Sequence, residues 1–103
     1  MYTLEYLPVA RQDMIEIVRY IGQELKNPMA AERLAAELIE AGNRLAEFPY
    51  AYPVYTPIRP LRHELRKMPV QNYLLFYWVE EERKRITVAR VIYAKRAYEH
   101  ILE

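Results

Sequence analysis

Apolar residues near the start of the chain recur at two spacings, and each spacing predicts a different element. Tyr2, Leu4 and Tyr6 alternate with polar residues, a period of two that indicates a short strand. Over residues 8–25 the apolar positions recur every three or four residues instead, which predicts an amphipathic helix. Pro8 ends the strand and suits the first turn of that helix, where a missing amide hydrogen has no cost.

A second apolar stripe with helical spacing begins after a clear start signal. Asn27 is a good N-cap and Pro28 a good first helical residue, and the stripe predicts a helix that runs to Glu47 before Pro49 ends it. The short link between the two helices predicts an antiparallel helical hairpin. Gly42 lies inside the second helix, where we expect it to permit close packing.

The rest of the chain predicts strands. Residues 49–60 are rich in proline and tyrosine and form an extended connector whose tyrosines need an apolar surface. Residues 61–70 follow as a strand. Two aromatic and β-branched runs, residues 72–79 and 86–97, are joined by the charged residues 80–85 and predict a β-hairpin. The last residues have room for only a turn or one helical coil.

These elements predict a single α+β domain over residues 1–103. Its order is an N-terminal strand, an antiparallel helical hairpin and then a three-stranded antiparallel sheet. We expect the two helices to cover one face of a mostly antiparallel sheet and the other face to stay open.

Composition excludes several classes of protein. The chain has no cysteine, so disulfide bonds and thiolate metal sites are excluded and a cytoplasmic location is expected. No apolar run approaches the roughly 20 residues that a membrane helix needs. The first residues lack the basic region and apolar stretch of a signal peptide. We therefore expect no membrane association.

Charge divides the chain into two unlike halves. Residues 1–48 carry eight acidic and five basic side chains, whereas residues 49–103 carry six acidic and ten basic ones. The basic excess lies in the predicted sheet half, and a one-sided basic surface attracts nucleic acid or an acidic protein segment. A solvated charged face with no partner is the alternative interpretation.

Two arginines lie within predicted strands and need a specific explanation. Arg90 lies among Val, Ile and Tyr, and a cation there needs an anionic partner or a wet concave surface. Such a placement favours binding of a phosphate or an acidic partner. Alternatively, Arg66 and Arg90 form cross-strand pairs with Glu64 or Glu80, each contributing roughly 0.2–1 kcal/mol.

The residue inventory limits the chemistry that is open to the chain. It contains no serine or cysteine nucleophile, and its only histidines are His63 and His100, so neither a metal site nor a cofactor is expected. What remains is metal-free phosphate chemistry by Arg, Lys, Tyr and His. The candidates for such chemistry are Arg62, His63, Arg66, Arg90, Lys95, Arg96, Tyr98 and His100.

Several segments in a fixed order resemble the RelE/ParE superfamily, the toxins of bacterial type II toxin–antitoxin pairs. They are the opening strand with residues 10–21, then residues 27–31, residues 45–49, Arg66, residues 72–77 and residues 90–96. Order and spacing carry the resemblance, which covers essentially the whole chain. It implies two helices against an antiparallel sheet and a small acidic antitoxin as partner, with a homodimer or a toxin–antitoxin hetero-oligomer as the assembly.

The resemblance implies two alternative activities. RelE-like members are ribosome-dependent endoribonucleases with a catalytic arginine at the position of Leu74 and a tyrosine at that of Leu102. ParE-like members inhibit DNA gyrase, and residues 72–77 and 90–96 look more like theirs. Tyr93 and Ala97 depart from that branch, where a histidine and an aspartate are common. Because leucine neither stabilises a phosphate nor carries a proton, we expect gyrase inhibition.

The two activities imply different site residues. A ParE-like toxin would contact its target through Arg62, Arg66, Arg90, Lys95 and Arg96. A ribonuclease would use Arg66, Arg96, Tyr98 and His100 on mRNA at the ribosome. A non-toxic basic module that binds RNA or protein is a third hypothesis, and its affinity for RNA would fall steeply with salt.

Overall fold

Strands and helices follow one another in the predicted order through residues 1–102, the part of the chain that the computed structural model describes. The elements are β1 (Thr3–Tyr6), α1 (Pro8–Arg19), a π-helical turn (Tyr20–Glu24), α2 (Pro28–Glu47), β2 (Arg66–Val70), β3 (Tyr73–Glu80), β4 (Arg85–Tyr93) and α3 (Glu99–Leu102). The α+β class is confirmed.

The sheet has four strands in the order β1-β4-β3-β2 and is mixed. The β2–β3 and β3–β4 pairs are antiparallel, as expected for the last three strands. The first strand joins the same sheet by pairing in parallel with β4, with Thr3 opposite Arg85 and Tyr6 opposite Val88. The expected three-stranded antiparallel sheet is therefore completed by a fourth, parallel strand, and both helices lie in the crossover connection that a parallel neighbour requires.

A β-bulge interrupts the hairpin in its middle. Phe76 pairs with Arg90 and Tyr77 pairs with Val88, so Ala89 is an extra residue on β4. The extra residue changes which side chains face the helices: Val88 and Val91 pack in the helix-facing core, whereas Ala89 packs on the opposite face.

The two long helices form as predicted, with one difference at the end of the first. Regular α-helix ends at Arg19, and a π-helical turn continues to Glu24 where an unbroken helix to residue 25 was expected. The second helix has the predicted bounds, and the Asn27 side chain accepts a hydrogen bond from the Ala30 amide at 3.2 Å.

Close packing at Gly42 is confirmed. A Cβ atom there would collide with the Tyr6 hydroxyl and would lie 2.8 Å from Leu4 Cδ2. Glycine thus lets α2 approach β1 closely. The core on this side of the sheet is built from α2 and strands β2, β3 and β4, with Leu34, Leu38, Leu45, Met68, Leu75, Tyr77, Ile86 and Val88 fully buried.

The prediction of an open second sheet face is wrong. A second apolar cluster covers that face, formed by Tyr55, Leu65, Phe76, Ala89 and Ile92 with Leu61, Leu74, Trp78, Tyr98, Ile101 and Leu102 packed against it. The covering residues come from the proline-rich connector and from α3. Phe76 has no exposed surface as a result.

Two predicted strands are shorter than expected. The strand over residues 61–70 begins only at Arg66, because the preceding residues cross the second face to place Leu61 and Leu65 against the sheet. The strand over residues 86–97 ends at Tyr93 and a turn follows.

The Tyr77 hydroxyl donates to the Pro49 carbonyl at 2.7 Å and so anchors the connector to the core.

Candidate functional site

The five cations expected to contact a target lie at three places in the fold. Arg62 and Arg90 line one cavity on the second sheet face. Arg66 begins the edge strand β2, and Lys95 and Arg96 lie exposed in the turn after β4. The sequence groups these cations by charge alone, and the fold separates them into three places.

Arg90 is held by an ion pair with α1. Its Nε lies 2.7 Å from Asp13 Oδ2 and a terminal guanidinium nitrogen lies 2.9 Å from Asp13 Oδ1. The Val91 amide also donates to this carboxylate, at 3.0 Å. These hydrogen bonds raise the pKa of Arg90 above its ordinary value, against the lowering effect of burial. Arg90 therefore joins the bulge of β4 to α1.

Arg66 is held by the connector. It donates to the Tyr52 carbonyl at 2.7 Å, and its guanidinium lies 5.0 Å from the centre of the Tyr50 ring. The alternative of a cross-strand pair with Glu64 or Glu80 is wrong for both strand arginines, since Arg66 and Arg90 use other partners. Glu80 instead accepts from Arg85 at 2.9 Å.

The cavity on the second face has a volume of about 420 Å³ and combines cations with an aromatic stack. His63 stacks on Trp78 with ring centres 3.9 Å apart and an angle of 2° between the rings. Arg62 and Arg90 line the same cavity with Leu7 and Leu102. Such a surface offers positive charge and a flat ring to an anionic or aromatic group.

The four residues of the ribonuclease hypothesis are divided between the two faces of the sheet. Arg66 is opposite Tyr77, which packs in the helix-facing core, and residues opposite each other share a face. Tyr98 packs on the second face, 5.4 Å from Phe76 and 5.9 Å from Tyr55 between ring centres. His100 lies exposed on α3 and Arg96 in the preceding turn.

The resemblance to the RelE-like branch implies catalytic side chains at the positions that Leu74 and Leu102 occupy in this chain. Both pack against the second apolar cluster, near Phe76. Neither leucine itself offers a charge or a proton to a phosphate, although Leu102 lines the cavity that Arg62 and Arg90 also line.

An apolar groove of about 650 Å³ runs between α1 and α2. Ile15 and Val18 line one side and Ala35 and Ile39 the other, with Leu38 at the junction with the core. Ile15 and Ile39 are exposed although they are large and apolar. Exposed apolar surface of this kind is typical of sites of protein–protein interaction.

Asp13 is the site residue that the sequence analysis missed. It lies on α1 between Ala10 and Ile17, at the spacing that faces the core, and a carboxylate on that face needs a cation. That spacing is the signal that could have found it. Lys67, part of the basic excess of the sheet half, has its ammonium 5.9 Å from the centre of the Tyr55 ring.

Two kinds of feature are absent from residues 1–102, the part of the chain that the structure describes. No helix there is long and apolar enough to cross a membrane. Within the same part of the chain, no three side chains of His, Cys, Asp or Glu come together in a group that could hold a metal ion.

Comparison with known families decides the identity of this fold. Residues 4–98 match the family model described as the ParE toxin of the type II toxin–antitoxin system parDE. The chain belongs to this family. It is the toxin of a type II toxin–antitoxin system, in the RelE/ParE superfamily and closer to the ParE branch. No curated protein sequence matches it.

Solved structures similar to this toxin come from both branches of the superfamily. The chromosomal ParDE system from P. aeruginosa superposes with a TM-score of 0.73 at 16% identity, covering 92% of this chain and 98% of that chain. The RelBE2 toxin–antitoxin complex from Mycobacterium tuberculosis gives 0.61 at 22%, covering 89% and 96%. The intact E. coli RelBE complex gives 0.53 at 22%, covering 93% and 100%. These similarities show the shared fold.

Proposed function

We propose that this toxin arrests bacterial growth by inhibiting DNA gyrase in the cytoplasm, and that it is not a nuclease. The observation that carries the proposal is the packing of Leu74 and Leu102 in the second apolar cluster. A RelE-like site would lose its arginine and its tyrosine at these positions. Single losses of this kind cost about 10²–10³-fold and about 10²–10⁴-fold in rate.

The target would be contacted first by the exposed cations Arg62, Lys95 and Arg96. Arg66 and Arg90 already hold contacts within the fold, so their substitution would alter stability as well as binding. A basic surface steers association with an acidic partner, and its effect weakens as salt rises.

The antitoxin would occupy the groove between α1 and α2. We propose that a small acidic antitoxin lays the apolar face of a helix over Ile15 and Ile39 and extends an acidic segment towards the basic sheet half. The groove supports this partner because its exposed isoleucines would be buried in the complex. The assembly is then a toxin–antitoxin hetero-oligomer, with a homodimer as the alternative for the free toxin.

The proposal is tested in cells by following plasmid supercoiling and mRNA integrity after induction of the toxin. We expect a reporter plasmid to lose negative supercoils while mRNA stays intact at ribosomal A sites. A variant in which Arg62, Lys95 and Arg96 are all Ala should lose growth arrest. The control replaces Arg33 and Arg44, exposed cations of α2, by Ala and should arrest growth normally.

Two other functions would give different results in the same cells. A RelE-like ribonuclease, acting through Arg96, Tyr98 and His100, would cut mRNA in the A site and leave plasmid topology unchanged. A non-toxic basic module that binds RNA or protein would change neither, and induction would not slow growth.

A further inference from the structure

A second large cavity, of about 730 Å³, lies on the opposite side of α1 from the helix groove. It is formed where the π-helical turn and the start of α2 meet the ends of β3 and β4. The polar and aromatic side chains that line it are Glu16, Tyr20, Asn27, Gln71, Asn72, Tyr73 and Tyr93. The proposed contacts with gyrase and with the antitoxin do not use this cavity.

Three tyrosines give the cavity its character. The Tyr73 and Tyr93 rings meet edge to face with centres 5.7 Å apart. The pKa of Tyr73 is raised by burial and then by the neighbouring Tyr93 and Tyr20 side chains, so the three phenols lie within each other's electrostatic field. Tyr20 and Tyr93 keep 53% and 42% of their surface exposed. Their rings are thus open to a ligand.

Tyr20 is the first residue of the π-helical turn, and its amide still donates to the Glu16 carbonyl, so regular α-helical spacing from Glu16 brings it to this cavity. A π-helical turn adds a residue to the helix and rotates the side chains that follow, and such turns often occur at binding sites. Here the turn spans Tyr20–Glu24, and both Tyr20 and Ile21 line the cavity.

The charge of the cavity favours a cation. The chain has 15 Lys and Arg residues, yet among the described residues the cavity lining includes none and includes the carboxylate of Glu16. Arg90, whose charge Glu16 senses, is already paired with Asp13. One oxygen of Glu16 accepts from Gln12 at 3.1 Å, which leaves the other for a ligand.

The nearby start of α2 does not reverse this preference. A helix N-terminus attracts anions through its unpaired amides. Here Pro28 has no amide hydrogen, the Ala30 amide donates to the Asn27 side chain, and the Ala31 amide donates to the Asn27 carbonyl at 3.1 Å. Little donor capacity is therefore left for an anion.

We propose that this cavity binds an arginine side chain of a partner polypeptide. The guanidinium plane would stack on the exposed rings of Tyr20 and Tyr93, and Glu16 would accept from it. Gln71 donates its amide nitrogen to Glu37, so its side-chain oxygen remains to accept a guanidinium hydrogen. Arginine fits better than lysine because its planar group both stacks and donates several hydrogen bonds.

The proposal is tested on the purified toxin with small probes. Acetyl-arginine amide, acetyl-citrulline amide and acetyl-glutamate amide are titrated while the tyrosine ring signals are followed by NMR. Citrulline has nearly the same shape as arginine and no charge. We expect the arginine probe to bind about fivefold more tightly than the citrulline probe and to shift the Tyr20 and Tyr93 signals.

Variants assign this preference to the cavity. Tyr20→Leu should remove the preference for arginine over citrulline, Tyr20→Phe should keep it because the ring remains, and Glu16→Gln should reduce it. Phe48→Leu is the matched control, since Phe48 is 58% exposed and lies outside the cavity lining. Thermal unfolding establishes that each variant is folded.

Three results would overturn the proposal. They are equal binding of the arginine and citrulline probes, a preference that survives Tyr20→Leu in a folded protein, and tighter binding of the glutamate probe. None of them depends on the gyrase assignment, because the assay uses neither gyrase nor antitoxin.

Discussion

Arg90 of β4 donates two hydrogen bonds to Asp13 of α1, across 77 positions of sequence. The same carboxylate accepts from the Val91 amide, just beyond the β-bulge. Only 12% of the Asp13 side chain and 23% of the Arg90 side chain are exposed, so solvent screens this pair weakly. The pair fixes α1 on the sheet at the point where β1 has ended.

Asp13→Ala should therefore destabilise the toxin. It leaves a partly buried guanidinium and a backbone amide without their acceptor, and we expect a loss of about 2–3 kcal/mol in the free energy of unfolding. Chemical denaturation measures the loss. Glu16→Ala, on the exposed side of the same helix, is the control and should change stability by less than about 0.5 kcal/mol.

A double-mutant cycle separates the interaction energy between Asp13 and Arg90 from the contributions of their other contacts. Adding Arg90→Ala to Asp13→Ala should cost little further stability, because the unpaired cation is removed. Strictly additive losses would contradict the pairing. Because Arg90→Ala also lowers stability, its effect on growth arrest should be compared with that of a folded variant that is equally destabilised but keeps Arg90.

Gly42→Ala should destabilise the toxin although alanine favours helix. The new methyl group would collide with the Tyr6 hydroxyl and lie 2.8 Å from Leu4 Cδ2, so these two side chains, which pack against the core, would have to move. Overpacking costs about 1–3 kcal/mol, which exceeds the gain of up to about 1 kcal/mol in helix propensity. Gly22→Ala is the control, since its nearest contact is Ala31 Cβ at 3.4 Å. A stabilised Gly42→Ala protein would contradict the close approach.

The stability of the toxin should fall at acid pH as Glu81 becomes protonated. Hydrogen bonds from Lys84, Tyr50 and Tyr2 lower the pKa of Glu81 from 4.5 to about 2. A lowered pKa contributes stability that is present above pH 4.5 and is lost as the pH falls towards 2. Glu81→Gln should thus lower the melting temperature at pH 7, with the difference from the unmodified toxin vanishing near pH 2. An equal difference at both pH values would rule out this cause.

The sequence predicted elements where the signal is local. The second helix was predicted with its observed bounds because an N-cap, a proline and an apolar stripe all lie within it. The parallel pairing of β1 with β4 joins residues about 80 positions apart, and no local pattern encodes it. The strand over residues 61–70 was extended too far because Leu61 and Leu65 are apolar for a different reason, the covering of the second face.

The sequence predicts which residue types the candidate site contains, but it does not predict which of them are in contact. The positions of Leu74 and Leu102 were recognised, but their burial depends on the connector and α3, whose sequences carry weak periodicity. The cross-strand partners considered for Arg90 were nearby in the predicted sheet. Its actual partner, Asp13, lies on a helix and becomes a neighbour only after folding.

Ile39→Glu should weaken capture of the antitoxin by about tenfold or more, because it places a charge in the groove that the antitoxin helix would cover. The toxin itself should stay equally stable, since Ile39 is exposed. Binding of the co-purified antitoxin by isothermal calorimetry measures the effect. Ile58→Glu is the matched control, an exposed isoleucine of the connector outside the groove. Equal weakening by both substitutions would place the antitoxin elsewhere.

The most direct test of the proposed target compares two activities of the same purified toxin. One reaction contains gyrase and relaxed plasmid, and the other contains translating ribosomes whose mRNA ends are mapped. Because Leu74 and Leu102 provide neither charge nor proton transfer, we predict that supercoiling is inhibited in proportion to toxin concentration and that the mRNA stays whole. Cleavage of mRNA in the ribosomal A site, with gyrase fully active, would contradict the account.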